Sequence, residues 1–271
     1  MAAGDEYNPS IWGMSYNSAR DELFLADWNN KVVRAMRVRD NAGDLRDVYK
    51  APHDTSPYIS SVCHMSDSDT LLVCSGEYVG NKWLVALSRN GSEWREAQRV
   101  QTYERGWISC ALSDSRVLIG GDILSTTTYM ELFRVESGPC IARVHRIHVP
   151  EQYHWFSATC GSDTLVAMIY PSPDQSVRVH RLRGDRLEEL ARIQSKEPNK
   201  LLWLADRLLV ADYDREKKSY AVIELEVSDT RLERRRELIA TSENINVWRW
   251  CAVNDGVAIF DRRDILHYSF A

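Results

Sequence analysis

Six apolar positions recur at a nearly constant interval along this 271-residue chain, and no other feature restricts the possible folds as tightly. The first strong apolar residue of each β-rich run is Leu23, Leu71, Val117, Leu165, Leu208 or Val257, and successive anchors lie 48, 46, 48, 43 and 49 residues apart. Each anchor opens a pair of runs separated by a polar turn, as in "ELFLAD", "WNNK", "VVRAMRV", the pattern of a β-hairpin. A further short run precedes every pair ("IWGMSYN", "ISSVCHM", "GWISCAL", "HWFSATC", "KLLWLAD", "VWRWCAV"), and five pairs are followed by another. Four short antiparallel strands in each unit of about 40 to 50 residues are the pattern of a β-propeller blade.

The expected fold is therefore all-β, a six-bladed β-propeller with four antiparallel strands per blade. Blades are expected at about 10–51, 58–103, 106–150, 153–195, 200–241 and 246–271. The segment "DRLEELARIQSKE" carries helix-forming residues but fills a fourth-strand slot, so it is read as strand. The sixth unit ends after its third strand, "ILHYSF". Three closures fit this: residues 1–9 complete the last blade as a closing strand, residues upstream in a longer chain do so, or the blade has three strands.

Composition narrows the function. A formal charge of −5 and a pI near 5.8 give no global positive field to gather phosphate backbones, so nucleic acid is disfavoured. No run of about 18 apolar residues is present, and "MAAGDEYNPS" lacks the profile of a secretory signal. The expected setting is soluble and cytoplasmic, without a membrane. The six cysteines, at 63, 74, 110, 140, 160 and 251, form no C-x-x-C pair and are read as buried thiols, four of them at similar places in the innermost strands. Asn90-Gly91 reads as a type I′ hairpin turn.

In such a ring, the blade-to-blade loops and the loops between second and third strands gather on one face, at the mouth of the channel. The segments expected there are rich in aromatics: Trp12, Tyr58, Tyr103, Trp107, Tyr153, Trp155, Trp203, Trp248 and Trp250, with Arg105 and His154 among them. Tyr58, Arg105, Trp107, Tyr153, His154, Trp155 and Trp248 form the candidate binding set, because aromatics beside Arg supply large contact area at small entropic cost. A Trp at the start of an inner strand also serves as a wedge between blades.

Asp27, Asp212 and Asp261 each lie four residues after their anchors. Carboxylates converging on an axis suit a divalent ion, whereas Asp at such a position also caps turns through backbone amides. No G-x-S-x-G, H-E-x-x-H, phosphate-loop or dinucleotide fingerprint is present. His145, His148 and His180, alternating with Arg, are read as parts of a solvated face.

"LFLADWNNKVVRAMRV", and in part "LLVADYDREKKSYAVIEL", resemble the repeats of NHL and YWTD propellers, which place an apolar strand before an Asp- and Asn-containing turn. The resemblance implies a six-bladed ring of the NHL/YWTD/SMP-30-like superfamily. NHL-type members bind proteins or RNA, and the SMP-30 and gluconolactonase type hydrolyses lactones or esters with a divalent metal in the channel. No hydrolase metal ligand can be matched residue by residue. The favoured reading is a non-catalytic module binding a peptide or protein partner at the aromatic-lined top face, with no cofactor. The alternatives are a metal-dependent hydrolase using Asp27, Asp212 or Asp261, and a single-stranded RNA binder.

Overall fold

A computed structural model of the chain describes residues 10–38, 45–52, 58–76, 81–102, 107–112, 115–120, 129–136, 139–149, 159–160, 164–170, 173–204, 207–228, 231–241, 250–253, 256–261 and 264–269. Within these ranges, the side chains of 107–112, 159–160, 239–241, 260–261 and 264 are not described. The described residues form twenty-three β-strands.

The first sheet is the meander β1 (Ile11–Asn17), β2 (Glu22–Asp27), β3 (Val32–Arg37) and β4 (Arg46–Lys50), and the second is β5 (Tyr58–Met65), β6 (Thr70–Gly76), β7 (Lys82–Asn90) and β8 (Glu93–Thr102). Next come β9 (Trp107–Leu112), β10 (Arg116–Gly120), β11 (Tyr129–Val135) and β12 (Ile141–His148), then β13 (Thr159–Cys160), β14 (Leu165–Tyr170), β15 (Ser176–Arg183) and β16 (Arg186–Gln194). The chain continues through β17 (Pro198–Leu204), β18 (Arg207–Asp214), β19 (Ser219–Val227) and β20 (Leu232–Thr241), and ends with β21 (Trp250–Val253), β22 (Gly256–Asp261) and β23 (Asp264–Ser269).

The fold is an all-β propeller, but the expected six separate blades are corrected to five hydrogen-bonded sheets. The reason is one contact: outer strands β12 and β16 pair in parallel at His148 and Arg186, which fuses the third and fourth sequence copies into a single eight-stranded blade. Four strands per copy hold except in the last, where three are described. The segment 186–194 is strand, as its slot in the repeat implied.

The second strands explain why the anchors are so regular. Each is buried on both faces, and strand alternation sends its side chains into two different interfaces. Leu23 and Leu25 point into a cluster with Cys251, Val253 and Ala258, whereas Phe24 and Ala26 point into one with Ile59, Leu71 and Val73. Leu72 and Cys74 then meet Val117 and Ile119, and Leu118 meets Val166 and Met168. Ala167 and Ile169 meet Leu208 and Val210, and Leu209 and Ala211 meet Val257 and Ile259. The chain of interfaces thereby returns to β1 and β2.

At the hub, β1, β5, β9, β13, β17 and β21 touch in a closed ring. Close approach dictates residue choice there: a Cβ at Gly13 would sit 2.8 Å from the Cα of Ser61. Cys63 and Cys251 lie in this layer, and burial pushes both thiols up to about 12, so they pack as small apolar groups. Cys140 is exposed, which corrects its assignment as a buried thiol.

Other local expectations shift as well. At Gly91 (φ 63°) the positive φ falls on the first central residue of a two-residue loop, as type II′ requires, so the expected type I′ turn is corrected. His180 is buried at 3% exposure with its Nε2 3.3 Å from the Tyr170 hydroxyl, and Arg178 lies 3.9 Å over the Tyr170 ring. The solvated face expected around them lies on outer strand β12, where His145 and His148 are exposed.

Polar contacts also cross between sheets. Glu22 is buried at the start of β2, bonded by Arg46 of β4 and at 2.7 Å by Arg89 of β7, whose guanidinium lies 5.4 Å from the Trp94 ring centre. Between the same sheets, His64 Nε2 lies 3.2 Å from Asn17 Nδ2 and 3.1 Å from Asp69 Oδ1, and burial holds its pKa below the ordinary histidine value. Removing one member of a buried ion pair strands the other charges. Glu22→Ala is therefore expected to lower unfolding free energy by about 3 kcal/mol in a denaturant titration; a loss well under 1 kcal/mol would mean the arginines resolvate freely.

Candidate functional site: an aromatic stack on the loop face

The turn after β2 is built around Asp27, a fully buried carboxylate. Its Oδ1 accepts the amides of Asn30 and Ser10, each at 3.3 Å, and its Oδ2 accepts Asn30 Nδ2 at 2.8 Å and Arg34 Nη1 at 2.7 Å. Arg34 Nε in turn donates to Asp47 at 2.9 Å. One carboxylate thus closes the β2–β3 turn and pins the chain entering β1. The Trp28 amide completes the clip by donating to the Ser10 carbonyl at 2.8 Å.

Asp212 repeats the device. It accepts the amides of Glu197 (2.7 Å) and Lys196 (3.3 Å) at the entry to β17, and the Tyr213 amide donates to the Glu197 carbonyl at 3.0 Å. The shared offset of Asp27 and Asp212 from their anchors therefore encodes the same clip. Asp261 ends β22 opposite Asp264, and its side chain lies outside the description. Among the described residues, no three His, Cys, Asp or Glu side chains group so as to hold a metal ion.

The clip fixes where the aromatics stand. Trp28 lies flat on Tyr58, with ring centres 4.1 Å apart and planes 8° from parallel. Trp12 packs on Trp28 at 5.1 Å and 37°, and its indole Nε1 donates to Ser10 Oγ at 2.8 Å. Tyr58 is 5% exposed, whereas Trp12 and Trp28 are half-buried. The three rings form a continuous stack across the first two sheets, on the face where blade-to-blade and second-to-third-strand loops meet.

Of the sequence-derived binding set, Tyr58 takes part in this stack. Trp107 begins β9, with its side chain outside the description. Arg105, Tyr153, His154, Trp155 and Trp248 lie outside the described residues. Trp203 and Trp250 pack into the clusters between neighbouring sheets, so they act as wedges. Trp28 was missed by sequence reasoning. Its signal was adjacency: the turn that presents Asp27 necessarily presents the next residue on the same face.

Elsewhere on this face, Lys196 Nζ donates to Asp214 at 2.6 Å, which raises the lysine pKa and lowers that of the carboxyl. A cavity of about 290 Å³ opens beside it, with Val177, Ile193, Val210 and Ile223 among its walls. Lys200 of β17 is pushed down to about 8 by burial.

No protein-family model matches the chain, and no curated protein matches it in sequence. Solved structures match in fold. One is a structure of the mitotic checkpoint complex, with a TM-score of 0.59 and 9% identity over 100% of this chain and 95% of that one. A second is a 6-phosphogluconolactonase-like protein from Bacteroides uniformis, with a TM-score of 0.65 and 11% identity over 98% and 82% of the two chains. A third is Sqt1 from Saccharomyces cerevisiae, with a TM-score of 0.54 and 9% identity over 97% and 85%. The chain has a β-propeller fold. At such identities the likeness reaches no further than the fold, and the NHL-like resemblance stays one of pattern.

Asp27→Ala removes the acceptor of four donors at once. The expected result is a loss of about 3 kcal/mol in stability together with a shift of tryptophan emission to longer wavelength as the Trp28 turn loosens. Unchanged emission and midpoint would show that Ser10 and Asn30 hold the turn without it.

Proposed function

We propose that this propeller is a non-catalytic interaction module that binds an extended peptide or a partner domain on the face carrying Trp12 and Trp28. The observation that carries the reading is the stack itself. Half-buried Trp28 stands on buried Tyr58 and half-buried Trp12 packs on Trp28, so the pair offers aromatic area already fixed in place, and little conformational entropy remains to be lost on binding. Solved propellers of similar fold include a structure of the mitotic checkpoint complex, which supports a protein partner. The further aromatics expected nearby, Trp107, Tyr153, Trp155 and Trp248 with Arg105 and His154, would widen the same platform.

The test is a displayed peptide library panned on the protein and counter-screened on Trp12→Ala and Trp28→Ala variants of verified fold. Enriched peptides are expected to bind either variant at least tenfold more weakly, roughly the 1.4 kcal/mol or more that a tryptophan anchor contributes. Equal binding to all three proteins, or no enrichment, overturns the reading.

A second reading, hydrolysis of lactones or esters with a divalent ion in the channel, is favoured by the fold likeness to the 6-phosphogluconolactonase-like protein. Under it, titration with Ca²⁺, Zn²⁺ or Mn²⁺ saturates a tight site and raises the thermal midpoint. The absence of any such shift with all three ions removes it.

A further inference from the structure

At the end of the second strands opposite the aromatic stack, the residue just before the anchor differs from copy to copy. In the first copy it is Glu22, buried and bonded by Arg46 of β4 and, at 2.7 Å, by Arg89 of β7. In the fifth it is Arg207, the first residue of β18. Thr70 and Gly256 stand there in two other copies, so the fold does not require a cation at this position. The strand register shows that the two corners correspond. Arg46 lies opposite Ala35, which lies opposite Phe24; Arg236 lies opposite Glu224, which lies opposite Leu209. Phe24 and Leu209 each follow Glu22 and Arg207 by two residues, so Arg46 and Arg236 occupy the same place relative to them. The first copy sets a carboxylate against an outer-strand guanidinium, and the fifth sets a guanidinium there.

The glutamates of this corner are already engaged. Glu224 accepts Arg236 Nε at 2.9 Å, and Glu226 accepts Arg235. The Arg207 side chain is half-buried and has neither a hydrogen bond nor an ion pair among the described residues. It lines a cavity of about 380 Å³ together with Leu225, Arg235, Arg236 and the two glutamates, so three guanidiniums face two carboxylates and the surplus positive charge is that of Arg207. A half-buried guanidinium gives up part of its hydration, and a carboxylate restores it through two parallel hydrogen bonds. Arg235 and Arg236 are exposed, so the cavity opens outwards and encloses no small molecule; it suits an acidic side chain carried on a segment passing over it.

We propose that this corner is a docking site for an acidic segment of a partner protein, with a glutamate or aspartate carboxylate seated against Arg207. The partner supplies from outside what Glu22 supplies from within in the first copy. Arg236 keeps donors beyond the Nε bonded to Glu224, and Leu225 offers an apolar wall to the stem of the incoming side chain. The site lies at the opposite end of the blades from Trp12, Trp28 and Tyr58 and does not depend on them.

The probe is acetyl-tetraglutamate amide, with acetyl-tetraglutamine amide as the uncharged control, followed through the arginine Nε–Hε resonances of ¹⁵N-labelled protein. A saturable shift of the Arg207 resonance is expected with the glutamate peptide and none with the control. Arg207→Gln is expected to weaken binding by roughly tenfold or more. Arg207→Lys keeps the charge but loses the two-pronged contact, so it should also bind more weakly, and it keeps the test decisive if the glutamine variant folds poorly. Trp12→Ala should bind the peptide as the parent does. Four results overturn the proposal: no saturable shift at Arg207; equal affinity in the parent and the Arg207 variants; tighter binding of glutarate, inorganic phosphate or a single-stranded oligonucleotide than of the peptide; or an Arg207 resonance already held by a carboxylate of its own chain in the free protein.

Discussion

The structure depends on second strands that are buried on both faces. A strand in a two-layer protein needs one apolar face, and alternation with polar residues marks it. Here β2, β6, β10, β14, β18 and β22 carry apolar residues at successive positions, because alternate residues belong to one interface and the residues between them to the next. No sheet can bury its own two faces. Each requires a neighbour on either side, and only closure into a ring satisfies every one, as the meeting of Leu23 and Leu25 with Cys251 and Ala258 does.

That constraint explains what could be read in the sequence. Continuous apolar runs at a fixed interval survive any change of loop, so the strand order, the all-β class and the strand at 186–194 were all accessible. The fusion of two copies into one sheet was not, because it rests on a single backbone pairing between His148 and Arg186, which leaves no mark on side-chain type. Cys140 and His180 failed in opposite directions for a related reason. A residue's depth is set by its place along a strand and by whether another sheet lies over it, and composition around it conveys neither.

The candidate site was legible in part. Placing blade-to-blade loops and second-to-third-strand turns on one face was enough to bring Trp12 and Tyr58 together. The central residue, Trp28, was not legible: Asp27 was already read as a turn cap, a short carboxylate that bonds amides near it in sequence, but that role was not extended to the residue beside it. Its recurrence in Asp212 reflects a requirement shared by blades, namely that the entering chain be held against the end of the second strand. A spacing regularity among carboxylates in a repeat protein therefore reports first on how each repeat is joined to the next.

The same distinction separates tryptophans that build the ring from those that face outwards. Trp250 is 4% exposed and packs among Leu209, Val257 and Ile259, so its indole is part of the apolar wall between sheets. Trp28 is held between Tyr58 and Trp12, and Trp12 by Trp28 and a hydrogen bond to Ser10, while both tryptophans keep part of their surface exposed. A side chain anchored by a rigid fold has lost its rotamer freedom before any partner arrives, so its remaining apolar surface is available for association at low further entropic cost. Loops alone would not provide this. The buried carboxylate beneath the turn does, since Asp27 ties Trp28 to a hub whose own position is fixed by every interface around the ring.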